Sequence, residues 1–501
     1  MRLERLNLEG LNFLTQGEFF FRKKRTDLKM RKKERQQGAR KQLNLFEEQT
    51  VISYRPTGTT SSSTTGLHGE LLFFSLLARN RALTEGLLET IMTRTNLDEA
   101  YKAVKRNGGA SGVDKMDIIE LRDWMGSHID TFRNSVLKET YQPDLVLGIE
   151  IPKPNGGVRL LGIPTVKDRL LQQAINQELM KYYDPLFSAY SYGFRPRRNA
   201  LQAIEQASEY IKEGCEWVVD IDLKSFFDYI NHDRLMQRLS KGIGDKGLLR
   251  LIRKYLKVGM LKGGLSQQRL SGTPQGGPLS PLLSNIVLDE LDKELEKRGH
   301  LFVRYADDCN IYVRSKRAGE RVLQSITKFI ESKLKLKVNE VKSGVRHCSK
   351  VKFLGYTLMP EGKIRIADKS IIRFKTKIKE LTKRNRGISF KQVIEQVNQA
   401  TRGWVSYFRL ANCWLPWRSL DGWLRRRLRC YRLKQCKRKY TIFKFLRQRG
   451  IKKSKAWNAI LYGGAWWSLS AKQAVSKAMG EQWFAQQGLY TLMNLYKRFN
   501  C

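Results

Sequence analysis

The segment that decides the fold is 301–313, LFVRYADDCNIYV, in which two apolar runs flank the acidic pair Asp307 and Asp308. Apolar runs on both sides of a short polar stretch predict a β-hairpin with the two carboxylates at its turn. Neighbouring carboxylates repel each other unless a cation neutralises them. Mg²⁺ is the natural cation, because it binds a few carboxylates together with the phosphate oxygens of a substrate. By itself an acidic turn is a weak signal, and the neighbouring segments decide its meaning.

A second acidic segment lies upstream at 217–228, WVVDIDLKSFFD. Its apolar residues alternate with Asp220 and Asp222, which is the period of a strand with one buried and one polar face. A two-metal site for nucleotidyl transfer activates the attacking hydroxyl with one metal and the leaving group with the other, and it needs a further carboxylate from another strand. The alternation places both aspartates on the same face, so the spacing alone does not choose between them.

Together these segments resemble the reverse transcriptases encoded by bacterial group II introns (intron maturases), and the resemblance runs from about Asn96 to near the C-terminus. It implies that Asp222, Asp307 and Asp308 are the catalytic residues and metal ligands, with Mg²⁺ as the cofactor and Asp220 as a less critical neighbour. It also implies that Phe227 selects deoxynucleotides by occupying the space that a ribose 2′-hydroxyl would need.

A glycine-rich loop, GTPQGGPLS at 272–280, precedes an apolar helix whose expected N-cap is Ser280 and whose first residue is Pro281. Glycines allow a backbone to approach a nucleotide closely. The resemblance implies that Gln275 and Gly276 border the incoming nucleotide. It assigns the segment 191–199, SYGFRPRRN, to the template and the nucleotide pocket.

The pattern IPKPNGGVRLLGIP at 151–164 predicts another hairpin, with its turn at 155–157 and with Lys153 and Arg159 on its two strands. Cations suit a triphosphate, and the resemblance makes these two residues triphosphate contacts on the fingers. It also places Lys342, in the motif KLKVNEVKS at 335–343, near the nucleotide.

The charge of the chain points to nucleic acid. The net charge is +45 over 501 residues, and the segment 361–450 alone carries 26 Lys and Arg against 5 Asp and Glu. Such an excess is typical of proteins that bind a polyanion. Clustered like charges repel unless phosphates offset them, so we predict that Arg425, Arg426 and Arg427 bind RNA phosphates. Most of the aromatic residues among these cations are expected to pack in the core between the helices.

The predicted fold is α+β, a right-hand polymerase with fingers and palm over 90–358 and an α-helical thumb over 359–450. Within the thumb, helical patterns run over 371–383 and 390–410. The motif RGWVSYF at 402–408 resembles the maturase-specific thumb domain, and 451–501 resembles the DNA-binding region that follows it. Residues 1–70 read as a basic, disordered extension and linker, with 11 basic and 2 acidic residues over 22–42. The 5 His and 7 Cys show no zinc spacing. No long apolar span appears, so we expect a cytoplasmic protein without a membrane partner.

The predicted function is RNA-directed DNA polymerase that also binds its group II intron RNA and assists splicing and mobility by target-primed reverse transcription. Its partners would be the intron RNA, primer–template and target DNA, and deoxynucleoside triphosphates. One alternative is a maturase that only assists splicing, but the complete acidic set and the PQG loop favour polymerase activity. The other is a retron-like or defence reverse transcriptase outside introns. The thumb motif and the motif NGGASGVD at 107–114 count against it.

Overall fold

The computed structural model describes residues 85–152, 156–262, 265–267, 271–412 and 414–500. The predicted extension at 1–70 and the predicted triphosphate contact Lys153 lie outside these residues. The described residues belong to one unit, which begins at Asn80. No helix in this described part of the chain combines the length and apolar character needed to cross a bilayer.

The first part of the described chain is a set of helices followed by a β-hairpin. The hairpin is the one predicted at 151–164, with Ile151 opposite Arg159. Helix α2 begins at a threonine cap, since the Thr93 side chain accepts a hydrogen bond from the Asn96 amide. The elements are α1 (Leu87–Ile91), α2 (Arg94–Asn107), α3 (Glu120–Leu137), β1 (Val146–Pro152), β2 (Val158–Ile163), α4 (Val166–Tyr183) and α5 (Ala200–Lys212).

The middle part contains the two acidic segments and forms a four-stranded antiparallel sheet, here called the palm sheet, whose order is β6 (Leu301–Tyr305), β7 (Asp308–Val313), β3 (Trp217–Ile221), β8 (Gly344–His347). Strands β4 (Met260–Lys262) and β5 (Leu265–Gln267) instead extend the earlier hairpin into a second sheet of order β2-β1-β4-β5. The elements are β3 (Trp217–Ile221), α6 (Phe226–Tyr229), α7 (His232–Gly242), α8 (Lys246–Lys257), β4 (Met260–Lys262), β5 (Leu265–Gln267), α9 (Ser280–Lys297), β6 (Leu301–Tyr305), β7 (Asp308–Val313), α10 (Lys316–Phe329) and β8 (Gly344–His347).

Both faces of the palm sheet are covered. Val219 and Ile311 point into a core shared with α4, α7, α8 and α9, whereas Val218 and Tyr312 point into a second core that includes the C-terminal helices. Successive residues of a strand face opposite sides, so each strand supplies both cores. The predicted alternation is confirmed, since Val219 and Ile221 are buried and Asp220 is half-buried, although Val218 on the Asp220 side is buried as well. Polar residues are confined to the end that carries Asp220.

The last part is a short hairpin followed by the predicted helices. The helices expected near 371–383 and 390–410 are confirmed with slightly different ends, and Ser389 and Gln392 form a capping box at the second. The expected packing role of the aromatics is confirmed for Phe408, Trp417 and Tyr431, which are buried. The elements are β9 (Tyr356–Leu358), β10 (Ile364–Ile366), α11 (Asp368–Leu381), α12 (Phe390–Tyr407), α13 (Trp414–Gln435), α14 (Lys439–Arg447), α15 (Lys453–Leu461), α16 (Trp466–Leu469), α17 (Gln473–Ala478), α18 (Glu481–Gln486) and α19 (Leu492–Asn500).

The fold class is therefore confirmed as α+β with a helical C-terminal part. The boundaries at 90–358, 359–450 and 451–501 stay predictions.

Candidate active site

The acidic hairpin forms as the sequence predicts. Strands β6 and β7 pair up to Tyr305 and Asp308, which lie opposite each other, and Ala306 and Asp307 make the turn between them. Ala306 is buried and has a φ of 58°, in the left-handed region. Asp307 is half-buried and Asp308 is exposed. The turn thus presents its two carboxylates at one end of the palm sheet.

The neighbouring strand β3 brings the other two aspartates to the same end. Ile221 lies opposite Cys309, so the residue after Ile221, Asp222, lies beside Asp308. Although the Asp308 side chain is accessible to solvent, the surrounding protein partly desolvates its carboxylate, and the charges of Asp307, Asp220 and Asp222 add to this effect. Together they raise the pKa of Asp308 to about 7. Such mutual repulsion marks a site where a bound cation would be stabilised.

Two cationic side chains pair with Asp220 and Asp222. The two aspartates differ in which cation each of them contacts. The Nζ atom of Lys342 lies 3.3 Å from Oδ2 of Asp222, and the Nη1 atom of Arg346 lies 3.2 Å from Oδ2 of Asp220. Desolvation and the charge of Asp222 raise the pKa of Asp220, although Arg346 opposes the shift. Arg346 reaches from β8 and was not identified from the sequence.

The carboxylates share one end of the palm sheet without converging on a single point. Among the described residues, no three His, Cys, Asp or Glu side chains are placed so that they could hold a metal ion. The donor set nevertheless suits a hard divalent cation, because it consists of carboxylate oxygens with a repulsion that such a cation relieves. Asp222 would exchange Lys342 for the cation on binding.

The glycine-rich loop 272–280 forms hydrogen bonds both with the segment of Phe227 and with the hairpin of β1 and β2, here called the fingers hairpin. The amide of Thr273 donates to the carbonyl of Phe227 at 2.7 Å, and the amide of Gly162 donates to the carbonyl of Gln275 at 2.8 Å. A Cβ on Gly276 would lie 2.3 Å from the Gly162 oxygen, so the close approach requires glycine. These backbone hydrogen bonds therefore place the predicted nucleotide contact Phe227 beside the loop that carries the other two, Gln275 and Gly276.

The predicted N-cap at Ser280 is wrong. Helix α9 begins at Ser280, its N-cap is Leu279, and Pro281 is its second residue. The Ser280 hydroxyl instead donates to the carbonyl of Pro274 at 2.8 Å. Ser280 is the first residue inside the helix, so its hydroxyl bonds to the preceding loop and does not cap the helix end.

Two other predicted contacts lie at the edges of this region. Arg159 is exposed on β2, next to the turn of the fingers hairpin. Phe227 is half-buried and packs edge to face against Phe226, with ring centroids 5.2 Å apart. In the predicted template motif, Arg195 is largely enclosed and bonds to Asp184 at 2.6 Å, so this arginine holds the local backbone.

The three arginines predicted to bind RNA lie on α13, and each has a protein partner. Arg425 is 3.4 Å from Glu481, Arg426 stacks on Trp467 with 4.1 Å between guanidinium carbon and ring centroid, and Arg427 donates to Thr382. All three are half-buried. Their contact with RNA phosphates stays a prediction, and these contacts show that they also support the packing of the helices.

Besides Arg346, the sequence prediction missed a second residue of the site, Arg304. Arg304, two residues before the turn centre, is fully buried and forms an ion pair with Asp292 of α9 at 2.5 Å. The signal in the sequence was a single charge inside the apolar run Leu301–Val303 and Tyr305, which a purely surface role does not explain.

An antiparallel palm sheet with aspartates at one end, a glycine-rich loop beside it and helices after it defines a polymerase of the right-hand class. Two family models match the chain. The model described as "Reverse transcriptase (RNA-dependent DNA polymerase)" matches residues 151–358, and the model described as "Group II intron, maturase-specific domain" matches residues 371–450. The chain belongs to the family of group II intron-encoded reverse transcriptases and maturases.

Individual relatives agree with this. Protein YkfC of Escherichia coli is 31% identical over 314 residues, which cover 54% of this chain and 82% of YkfC. The group II intron-encoded protein LtrA of Lactococcus lactis subsp. cremoris is 32% identical over 350 residues, covering 56% of this chain and 57% of LtrA. Among solved structures, a chain of a partial Cas6-RT-Cas1–Cas2 complex is 26% identical over 49% of this chain and 42% of that one, with a TM-score of 0.33.

Proposed function

We propose that this chain is an RNA-directed DNA polymerase that uses Mg²⁺ and deoxynucleoside triphosphates, and that it also binds its group II intron RNA to assist splicing and mobility. The observation that carries the enzymatic part is the meeting of Asp222, Asp307 and Asp308 at one end of the palm sheet, beside Lys342. Family membership supports the class of reaction, and the residues named here supply the mechanism.

In this mechanism Asp222, Asp307 and Asp308 would hold the Mg²⁺ ions once these bind. Bound Mg²⁺ would lower the pKa of the primer hydroxyl and offset the charge that develops on the triphosphate. The chain's own groups orient the substrate. Gln275 and Gly276 border the nucleotide, Phe227 fills the space beside the sugar 2′-carbon, and Lys342 moves from Asp222 to a phosphate oxygen.

Binding of intron RNA is supported by the charge of the C-terminal helices. Beside the half-buried arginines of α13, Lys437, Arg438 and Lys439 are exposed. Lys439 is followed in the chain by the exposed Tyr440, which stacks on the half-buried Phe443 at 6.2 Å, and Phe443 stacks on the half-buried Trp457 at 4.5 Å. Basic side chains beside an exposed aromatic ring suit an RNA strand.

Two assays test the proposal separately. Purified protein should extend a DNA primer on an RNA template with Mg²⁺ and deoxynucleotides, and EDTA should stop the reaction. It should also speed the splicing of a group II intron RNA taken from the DNA that flanks its gene. Splicing without extension would favour the splicing-only alternative. Extension without any group II ribozyme in the flanking DNA would favour a reverse transcriptase outside introns.

A further inference from the structure

Arg304 links the acidic hairpin to helix α9 in a place that solvent does not reach. The side chains of Arg304 and Asp292 are both fully buried. Two parallel hydrogen bonds join them, from Nε to Oδ1 at 2.7 Å and from Nη2 to Oδ2 at 2.5 Å. This bidentate arrangement fixes the plane of the guanidinium group as well as its position.

The third nitrogen of Arg304 is thereby aimed at the turn. Its Nη1 atom donates to the carbonyl of Ala306 at 2.9 Å and to Oδ1 of Asn285 at 3.0 Å. The Ala306 carbonyl belongs to the peptide bond that leads into Asp307. Ala306 has a φ of 58°, a conformation that a residue with a Cβ adopts less readily than glycine and that its surroundings must support.

Asn285 extends this connection to the predicted template motif. Its Nδ2 atom donates to the carbonyl of Gly193 at 2.9 Å. Gly193 in turn touches the turn itself, since a Cβ at this position would lie 2.2 Å from the Ala306 nitrogen. The backbone of Tyr192 also donates to the carbonyl of Arg304 at 2.9 Å. Helix α9, the segment 191–199 and the acidic turn thus meet around one guanidinium group.

We infer that Arg304 is a positioning residue, which holds the peptide between Ala306 and Asp307 so that the carboxylates of Asp307 and Asp308 face the reacting phosphate. The inference rests on the proposed polymerase function. A buried ion pair is rarely needed for stability, because two well-packed apolar side chains of similar volume do as well or better. What apolar side chains cannot supply is the directed donor to the Ala306 carbonyl.

The charge state of the pair agrees with this role. Burial by itself would lower the pKa of Arg304, but the charge of Asp292 and the hydrogen bonds with it raise that pKa above its ordinary value. The guanidinium therefore stays charged and keeps all of its donors.

The test replaces the ion pair by apolar side chains. The double variant Arg304→Met/Asp292→Leu should keep a melting temperature near that of the wild type. Its kcat for single-nucleotide addition should fall about 10- to 100-fold while the KM for the nucleotide changes little, because a small misplacement of catalytic groups has effects of this size. Hydrogen–deuterium exchange should become faster in the peptide that covers 301–313.

A second buried ion pair on the same helix provides the matched control. Arg238 of α7 lies 3.0 Å from Asp289 of α9, with both side chains largely enclosed. The variant Arg238→Met/Asp289→Leu removes this pair, together with the contacts of Arg238 with Glu290 and of Lys293 with Asp289, but it removes no bond to the turn. Its kcat and its exchange over 301–313 should match those of the wild type.

Wild-type kcat and exchange in the Arg304→Met/Asp292→Leu protein would overturn the inference and leave the pair a purely structural role. If that variant does not fold, Asn285→Ala serves instead, since it removes one partner of Nη1 and keeps the ion pair. A kcat lowered several-fold supports the inference, and an unchanged kcat contradicts it. If the wild type itself does not extend a primer, the proposed function fails, and faster exchange of the turn still tests the link to Arg304.

Discussion

The Nζ atom of Lys342 lies 3.3 Å from Oδ2 of Asp222. A predicted nucleotide contact and a predicted metal ligand are therefore partners of each other in the free protein. The Lys342 side chain is 65% exposed, so it is free to leave the carboxylate when a cation and a triphosphate arrive. In the proposed mechanism the ammonium group would take the place of the cation until then and offset part of the negative charge at the acidic end of the palm sheet.

Replacing Lys342 by Met should lower kcat/KM for nucleotide addition by about 10- to 100-fold, since a hydrogen bond to a charged group contributes about 1.5–3 kcal/mol. Steady-state primer extension at several nucleotide concentrations measures the loss. Lys316→Met is the control, because Lys316 is equally exposed and pairs with Glu320 on α10. Equal activity of the two variants would mean that Lys342 is only a partner of Asp222.

Asp222→Asn or Asp307→Asn should abolish extension of a primed RNA template, a loss of about 100-fold or more, because the neutral amide is a poor ligand for a hard divalent cation. Assistance to splicing should survive, since it depends on binding surfaces elsewhere.

Asp220→Asn is the matched control, because Asp220 lies on the same strand but pairs with Arg346. We expect this variant to keep most of its activity. An inactive Asp220→Asn protein beside an active Asp222→Asn protein would reverse the assignment of the two aspartates.

Phe227→Ala should raise the incorporation of ribonucleotides relative to deoxynucleotides by about 10-fold or more, because the space beside the sugar 2′-carbon opens. The measurement is the ratio of kcat/KM for the two nucleotide types. Phe329→Ala controls for the loss of an aromatic side chain, since Phe329 packs partly buried against the same core. Unchanged discrimination in Phe227→Ala would leave this residue a packing role only.

Affinity for intron RNA should fall steeply with salt, with each neutralised phosphate adding roughly 0.7–0.9 to the slope of log affinity against log salt. Replacing Arg425, Arg426 and Arg427 together by Gln should lower this slope and weaken splicing, while extension of a short primer–template suffers less. The melting temperature of the same variant should be lower than that of the wild type, because the variant loses the contacts with Thr382 and Trp467.

Replacing the exposed residues Lys437, Arg438 and Lys439 distinguishes the loss of RNA binding from the loss of stability. Their replacement by Gln removes three charges without a buried contact, so the melting temperature should stay the same while the slope falls by roughly 2–3. A wild-type slope in both triple variants would direct attention to the basic segment at 22–42.

Local pattern was enough for much of the fold. The alternation of apolar residues in 217–223 and the two apolar runs of 301–313 predicted strands at the observed positions, since strand period and turn chemistry are written in neighbouring residues. The helices near 371–383 and 390–410 followed from their apolar spacing in the same way. The family resemblance singled out Asp222, Asp307 and Asp308, and family membership is confirmed, while their catalytic roles stay predictions.

What the sequence by itself determined is thus the set of elements and the acidic residues they carry. Tertiary structure alone decided which charges meet. Asp292 and Arg304 lie on a helix and a strand whose separate patterns say nothing about each other, and the same holds for Asp220 and Arg346. Their pairing depends on how α9 and β8 pack against β6 and β3, and burial turns that proximity into strong, directed bonds.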